Sequence, residues 1–158
     1  MNKKTIVLLD IDYTIFDTKT FKDSGLTNFS LYNEVLQVLG KLKETVELGI
    51  FSKGNLVFQN TKLNKTGIKD LFNKEHVHVF EDKEINLNSV LEKYKDYKIF
   101  LVDDKLSILY DAKAYNPLVF SVWVKRGPFA ENQEPLENFA PDATITDLSS
   151  LDKIINQS

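Results

Sequence analysis

The sequence contains no cysteine, and only six glycines and four prolines occur among its 158 residues. Without cysteine, the chain can form no disulfide, no thiolate metal site and no cysteine nucleophile. The scarcity of glycine and proline leaves no stretch that resembles a domain linker or a low-complexity segment. These absences predict one folded domain, residues 1–158, whose chemistry depends on oxygen and nitrogen side chains.

Long apolar runs are also missing. The first apolar run, residues 6–9, is too short for a signal peptide, and two aspartates follow it closely. No stretch reaches the ~18 apolar residues that a membrane helix needs. We therefore expect a cytoplasmic protein with no membrane partner.

An excess of positive charge is absent as well. The formal net charge is -3 and the sequence pI is near 5.4, so the overall charge gives no reason to expect nucleic acid as a partner. A hydrophobic content of 42% and a charged content of 27% are typical of globular domains. A domain of this length buries roughly two-thirds of its unfolded surface, which is enough for a substantial core.

Apolar runs and helical patterns alternate along the chain. The runs that predict buried strands cover residues 6–9, 46–51, 76–80, 99–102 and 118–124, with a small edge strand at 143–146. Helical spacing covers residues 29–43, 54–67, 83–94, 106–115 and 148–155. This alternation predicts an α/β fold, a three-layer αβα sandwich around a doubly wound, mainly parallel, Rossmann-like sheet.

Two acidic pairs follow predicted strands. Asp10 and Asp12 come after the first strand, and Asp103 and Asp104 come directly after the fourth. Each pair alone is compatible with a turn or a helix cap. In open parallel sheets, however, the carboxyl ends of the strands share one edge, where ligands bind. Carboxylate oxygens suit Mg²⁺, so the two pairs together predict a magnesium site at this edge.

Two further segments are candidates for binding an anion. Ser52, Lys53 and Gly54 follow the second strand and open a helix, where free backbone N–H groups favour phosphate. A plain helix cap is the alternative interpretation of this segment. Lys83 begins the helix after the third strand, where a lysine opposes the helix dipole but could neutralise a phosphate. It is equally compatible with an exposed lysine, and Lys74 is a second candidate nearby.

The order of these motifs resembles the haloacid dehalogenase-like hydrolase superfamily. It reads Asp-x-Asp-x-Thr at residues 10–14, then Ser52, Lys83 and the pair Asp103–Asp104, and it covers nearly the whole chain. The resemblance implies a magnesium-dependent phosphatase that acts on a phosphomonoester. The roles it implies are a nucleophile at Asp10, which forms an aspartyl-phosphate, and a general acid and base at Asp12, which also offers its backbone carbonyl to Mg²⁺. It further implies that Thr14 and Ser52 orient nucleophile and phosphate, that Lys83 neutralises charge, and that Asp103 and Asp104 serve the metal.

Several details refine this resemblance. Members of the superfamily that cleave carbon–halogen bonds lack an acid at the position of Asp12, which favours phosphoester chemistry here. Tyr13 stands where many relatives have glycine. About forty residues separate Asp12 from Ser52, too few for a large cap domain. An open site would accept a phosphorylated small molecule or an exposed macromolecular phosphoester, with residues 18–28 as either a flap or a plain surface loop.

Other interpretations remain open at this point. A non-catalytic phosphate-binding or regulatory module on the same fold is one, and a phosphotransferase is another. His76 and His78 could form a metal pair on one strand face, although no third ligand is apparent, and a packing role is the alternative. Lys125 and Arg126 could bind a substrate anion or lie at a solvated strand end.

Overall fold

The computed structural model describes residues 2–158 and contains one six-stranded sheet. The strands are β1 (Thr5–Leu9), β2 (Glu47–Lys53), β3 (Val77–Phe80), β4 (Lys98–Asp103), β5 (Phe120–Val124) and β6 (Ala143–Ile145). Their order across the sheet is β3-β2-β1-β4-β5-β6, and every neighbouring pair is parallel. The predicted parallel sheet is therefore confirmed.

In the described part of the chain, seven α-helices connect or follow the strands. They are α1 (Thr18–Asp23), α2 (Val35–Leu42), α3 (Leu56–Lys65), α4 (Lys83–Lys93), α5 (Leu106–Tyr115), α6 (Pro128–Glu131) and α7 (Leu151–Gln157). Three short 3₁₀ helices occur at Lys69–Leu71, Lys74–His76 and Leu148–Ser150. Within residues 2–158, no helix has the length and apolar character needed to cross a membrane.

The sheet has a separate apolar core on each face, which confirms the three-layer prediction. In β1, Val7 and Leu9 pack into one core, and Ile6 and Leu8 pack into the other. The first core is covered by α2, α3 and α7, and the second by α4 and α5. A strand buried on both faces carries an unbroken apolar run, which is why the sequence reveals these strands so clearly. No large cap domain is inserted between the strands within residues 2–158.

The strand order reverses beside β1, which pairs with β2 on one side and with β4 on the other. At such a switch point the loops that leave adjacent strands diverge to opposite faces and open a crevice. The first acidic pair follows β1, and the second begins at the last residue of β4. The topology thus brings both pairs to one crevice.

The helix predicted over residues 29–43 is wrong at its start, because α2 begins only at Val35. Residues 30–32 pair instead with the loop after β1. The Asp17 N–H donates to the Ser30 carbonyl at 2.9 Å, and the Tyr32 N–H donates to the Ile15 carbonyl at 3.2 Å. These long-range hydrogen bonds replace the helical ones, and a local pattern does not reveal them.

Candidate active site

Three buried carboxylates meet at the switch point. One side-chain oxygen from each of Asp10, Asp103 and Asp104 lies within 4.8 Å of the others. Asp10 is held at the end of β1, where its N–H donates to the Val102 carbonyl at 3.0 Å. The predicted convergence of the two acidic segments is therefore present in the fold.

Lys83 places a positive charge among these carboxylates. It is the first residue of α4, and its Nζ lies 2.5 Å from Asp103 Oδ2 and 3.2 Å from Asp10 Oδ1. Burial by itself would lower the pKa of Lys83, but the two carboxylates outweigh burial and raise it, so the ammonium stays charged. Lys74 is exposed and lies in a different groove, so Lys83 is the lysine beside Asp10.

The carboxylates carry more negative charge than one ammonium can balance. Burial raises the pKa of Asp10 from 3.8 to about 6, against the opposing effect of Lys83. Burial, together with the charges of Asp10 and Asp103, raises the pKa of Asp104 to about 10. Asp104 Oδ2 is buried and has no hydrogen-bond partner. Mg²⁺ is a hard cation that prefers oxygen ligands, and this cluster offers only oxygen ligands. One of them, Asp104 Oδ2, has no partner in the protein, so these residues fit Mg²⁺.

Asp12 is held by three hydrogen-bond donors that its sequence motif does not reveal. Its Oδ1 accepts hydrogen bonds from Lys62 Nζ at 2.7 Å and from Thr18 Oγ1 at 2.9 Å. Its Oδ2 accepts one from Gln59 Nε2 at 3.0 Å. The side chain of Asp12 remains 30% exposed and lines the same cleft as Asp10. Gln59 and Lys62 share a face of α3 with the buried Leu63, but hydrophobicity predicts that polar residues are exposed, so no signal in the sequence identifies them.

The segment after β2 contributes a hydroxyl and a lysine. Ser52 is fully buried, and its Oγ accepts a hydrogen bond from Gln59 Nε2 at 2.8 Å. Lys53 lies on the wall of the cleft and forms an exposed ion pair with Glu84 at 3.3 Å. The free N–H expected at Gly54 is not available, because it donates to the Phe80 carbonyl at 2.9 Å. Its φ of 143° instead makes glycine necessary for the backbone path.

The turn that contains Thr14 is tightly bonded to itself. The Ile11 carbonyl accepts N–H groups from Thr14, Ile15 and Phe16 at 3.0 to 3.2 Å. Tyr13 adopts a φ of 62°, a left-handed conformation that glycine would adopt more easily. The Thr14 hydroxyl oxygen is buried and has no partner, as is the case for Asp104 Oδ2. Thr14 therefore keeps a hydroxyl group available in the loop that follows β1.

Arg126 supports this turn from the loop after β5. Its guanidinium donates to the Tyr13 carbonyl at 3.3 Å, to the Thr14 carbonyl and to Glu34 at 2.7 Å. It also stacks 3.6 Å from the ring centroid of Tyr32. With its donors occupied in this way, Arg126 orders the turn and does not lie at a solvated strand end.

The cleft above the carboxylates is small, at about 160 Å³. Its charged lining residues include Asp10, Asp12, Lys53, Lys83, Asp103 and Asp104, and Tyr13, Ile108 and Phe129 add apolar surface. Residues 18–28 line no part of it, so they do not form a flap over the cleft in this structure. A larger groove beside α3, about 490 Å³, includes Lys74 but none of the acidic cluster.

The two histidines of β3 and its approach serve packing. His76 Nδ1 and His78 Nε2 both contact the Tyr94 hydroxyl, at 2.9 and 2.7 Å. Burial lowers the pKa of His78 to about 4, which keeps that ring neutral. Because the ring nitrogens of the pair converge on a tyrosine hydroxyl, the packing interpretation holds and the metal-pair interpretation does not.

No protein-family model and no curated protein matches this chain. Solved structures do. The chain has 20% identity and a TM-score of 0.81 to a protein from Burkholderia xenovorans LB400 named as a haloacid dehalogenase-like hydrolase, with 98% of each chain covered. For the HAD-hydrolase YfnB from Bacillus subtilis, bound to magnesium, the identity is 14% and the TM-score is 0.75, with 98% of this chain and 100% of that one covered. For an L-2-haloacid dehalogenase from Xanthobacter autotrophicus with chloropropionic acid covalently bound, the identity is 14% and the TM-score is 0.73, with 99% of each chain covered.

These similarities establish the fold. The chain has the α/β fold of the haloacid dehalogenase-like hydrolases, as the order of its motifs predicted. Phosphoester and carbon–halogen chemistries both occur on folds of this kind, so the reaction has to be argued from the side chains of the cleft.

Proposed function

On the fold of the haloacid dehalogenase-like hydrolases, we propose that this protein is a magnesium-dependent phosphatase. It hydrolyses a phosphomonoester through an aspartyl-phosphate on Asp10, as a single domain that spans residues 1–158. The observation that carries the proposal is the arrangement of Asp10 beside the buried ammonium of Lys83, in a carboxylate cluster that has an unpaired oxygen on Asp104.

Asp10, Asp103 and Asp104 would hold Mg²⁺ through their carboxylates, together with the backbone carbonyl of Asp12. When bound, the ion would supply the positive charge that offsets the charge of a phosphoryl group near these carboxylates. Phosphoryl transfer depends mainly on such electrostatic stabilisation and on positioning.

The side chains of the cleft supply the remaining chemistry. Asp10 attacks phosphorus and becomes phosphorylated while the bond from phosphorus to the leaving oxygen breaks. Asp12 gives a proton to that oxygen, then takes a proton from the water that attacks the aspartyl-phosphate. Lys83 neutralises charge between nucleophile and phosphate. The hydroxyls of Thr14 and Ser52, with Lys53, orient the phosphate, whereas the N–H of Gly54 is already bonded to the Phe80 carbonyl.

Asp12 distinguishes phosphatase from dehalogenase activity. A halide leaves without needing a proton, whereas an alkoxide leaving group is stabilised strongly by one. In this cleft three hydrogen-bond donors hold the Asp12 carboxylate in place, and a dehalogenase would have no use for it as a proton donor. The proposal therefore favours phosphoester hydrolysis.

The small, open cleft supports substrates whose phosphate projects from the rest of the molecule. Such a group occurs on small phosphometabolites and on exposed macromolecular phosphoesters alike. The decisive experiment is a panel of phosphometabolites and phosphopeptides tested with Mg²⁺ and with EDTA. Magnesium-dependent release of phosphate from any member supports the proposal. Inactivity across the panel, together with binding of phosphorylated ligands, would instead identify a regulatory module.

A further inference from the structure

Lys62 is buried in a way that is unusual for a lysine on an outer helix. Only 4% of it is exposed, and its Nζ lies 4.7, 5.1 and 5.8 Å from the ring centroids of Phe58, Phe16 and Phe21. Among residues 2–158, Asp12 is its only acidic neighbour within salt-bridge distance. Removing an ammonium from water is costly, and such buried pairs often contribute little net stability. A contribution to stability is therefore a weak explanation for this lysine.

The contacts of Asp12 distinguish its two oxygens. Oδ1 receives two donors, from Lys62 and Thr18, whereas Oδ2 receives only one, from Gln59. A carboxylate oxygen has two lone-pair sites, so Oδ1 is fully occupied and Oδ2 keeps one site free. The free site can carry or accept a proton.

Gln59 links this arrangement to the phosphate-orienting hydroxyl. Its Nε2 bonds both Asp12 Oδ2 and Ser52 Oγ, at 3.0 and 2.8 Å. Gln59 is itself buried, and the aromatic rings around Lys62 restrict the lysine. Two residues of one helix, together with Thr18, thus fix the orientation of Asp12, which is how a reactive group is held in a productive geometry.

We propose that Lys62 is a positioning residue for Asp12, which rests on the phosphatase function proposed above. Lys62 and Thr18 hold Oδ1, so Oδ2 is the atom that transfers protons. In the first step the proton on Oδ2 moves to the leaving oxygen as its bond to phosphorus breaks and the bond from Asp10 to phosphorus forms. In the second step Oδ2 takes a proton from water, whose oxygen binds phosphorus and releases phosphate and the Asp10 carboxylate.

The proposal makes a specific prediction about leaving groups. A 4-nitrophenolate is stable as an anion and needs little protonation, whereas an alkoxide needs it strongly. Loss of Lys62 should therefore affect an alkyl phosphate much more than 4-nitrophenyl phosphate. A lysine that acted only in folding would change both substrates equally.

The test compares kcat/KM for the two esters in wild type, Lys62→Met and the control Lys65→Met. Lys65 lies on the same helix but is exposed. In Lys62→Met we expect a loss of about 100-fold with the alkyl phosphate and of at most about threefold with the nitrophenyl ester, given the usual size of general acid catalysis. Lys65→Met should match wild type with both.

A chemical rescue keeps the test valid if Lys62→Met folds poorly. Because the chain has no cysteine, Lys62→Cys carries the sole thiol. Aminoethylation of that thiol in the unfolded state, followed by refolding, recreates an ammonium of nearly the same reach. Restored activity toward the alkyl phosphate supports the role of Lys62.

The outcomes separate this role from the function on which it rests. If wild type hydrolyses both esters and Lys62→Met loses both equally, or loses neither, the positioning role is wrong and the phosphatase remains. If wild type shows no magnesium-dependent hydrolysis of either ester or of the wider panel, the phosphatase is wrong, and the role of Lys62 is overturned with it.

Discussion

Gly127 packs against the ring of Tyr13 so closely that a Cβ at position 127 would lie 2.5 Å from two ring carbons. Gly127 also has a φ of 84°, a conformation that disfavours any other residue. Tyr13 directly follows Asp12, in the turn after the two aspartates that we assign to catalysis, and Gly127 belongs to the loop after β5. The absence of a side chain at Gly127 thus allows a tyrosine to occupy that turn.

Gly127→Ala should therefore destabilise the protein. The strained φ and the overlap with Tyr13 together predict a loss of about 2–4 kcal/mol in the free energy of unfolding. In a Tyr13→Gly background the overlap disappears, so the same substitution should cost at least about 1 kcal/mol less. Urea unfolding of the two single variants and the double variant measures this coupling. Additive losses would mean that the two residues are independent.

Asp104→Asn should stabilise the metal-free protein at neutral and alkaline pH. Burial and neighbouring charge raise the pKa of Asp104 from 3.8 to about 10, so the folded state binds a proton more tightly than the unfolded state. Stability of the metal-free wild type should then fall as pH rises above 3.8, and the loss continues toward pH 10. Asparagine has no charge to bury, so we expect a gain of about 1–3 kcal/mol at pH 8 that vanishes near pH 4.

With magnesium bound, wild type should be more stable than Asp104→Asn. At a concentration about 100 times its dissociation constant, a ligand stabilises the folded state by about 2.7 kcal/mol. Thermal unfolding with and without Mg²⁺ should therefore show a large shift for wild type and a small one for Asp104→Asn. The control Asp111→Asn changes an exposed carboxylate on α5 and should behave as wild type. An equal magnesium shift in Asp104→Asn and wild type would remove Asp104 from the metal site.

Lys83→Met should abolish activity and lower stability in a pH-dependent way. Loss of the ammonium leaves Asp10 and Asp103 without their buried counter-charge, which typically costs about 3–5 kcal/mol. The pKa of Asp10 is already about 6 and would rise further, so the penalty should be smaller at pH 5, where Asp10 is protonated, than at pH 8.

Lys74→Met is the matched control, because Lys74 was the competing candidate for the motif lysine and is exposed. We expect kcat/KM to fall by at least about 100-fold in Lys83→Met, a typical effect of removing electrostatic stabilisation. Lys74→Met should retain full activity and stability. The assignment fails if the two variants show the opposite pattern in chemical denaturation and phosphatase assays.

The parallel sheet and the acidic cluster were predictable because both depend on local patterns. The apolar runs before Asp10 and Asp103 mark strands buried on both faces, and the carboxyl ends of parallel strands meet at one edge. Given the strand order, the convergence of these carboxylates follows from topology alone. The sequence was less informative where long-range hydrogen bonds determine the backbone conformation, as at Ser30 and Tyr32 before α2.

The residues that hold Asp12 in place, Gln59 and Lys62, were not predictable for a different reason. In α3, the exposed residues at the start are apolar, Leu56, Val57 and Phe58, while the polar Gln59 and Lys62 are buried. A rule that assigns apolar residues to the core would therefore predict the wrong face of this helix to be buried. The buried Lys62 pairs with Asp12, which is 50 positions away in the sequence, so a pattern local to the helix does not reveal this contact.

The central claim is that Asp10 is the nucleophile of a magnesium-dependent phosphatase. It is tested most directly by 4-nitrophenyl phosphate hydrolysis with purified wild type and Asp10→Asn, each with Mg²⁺ and with EDTA. We predict turnover only in wild type with Mg²⁺, with a loss of at least about 1000-fold in Asp10→Asn, since removal of a nucleophile eliminates the covalent route. Robust magnesium-dependent hydrolysis by Asp10→Asn would contradict the account.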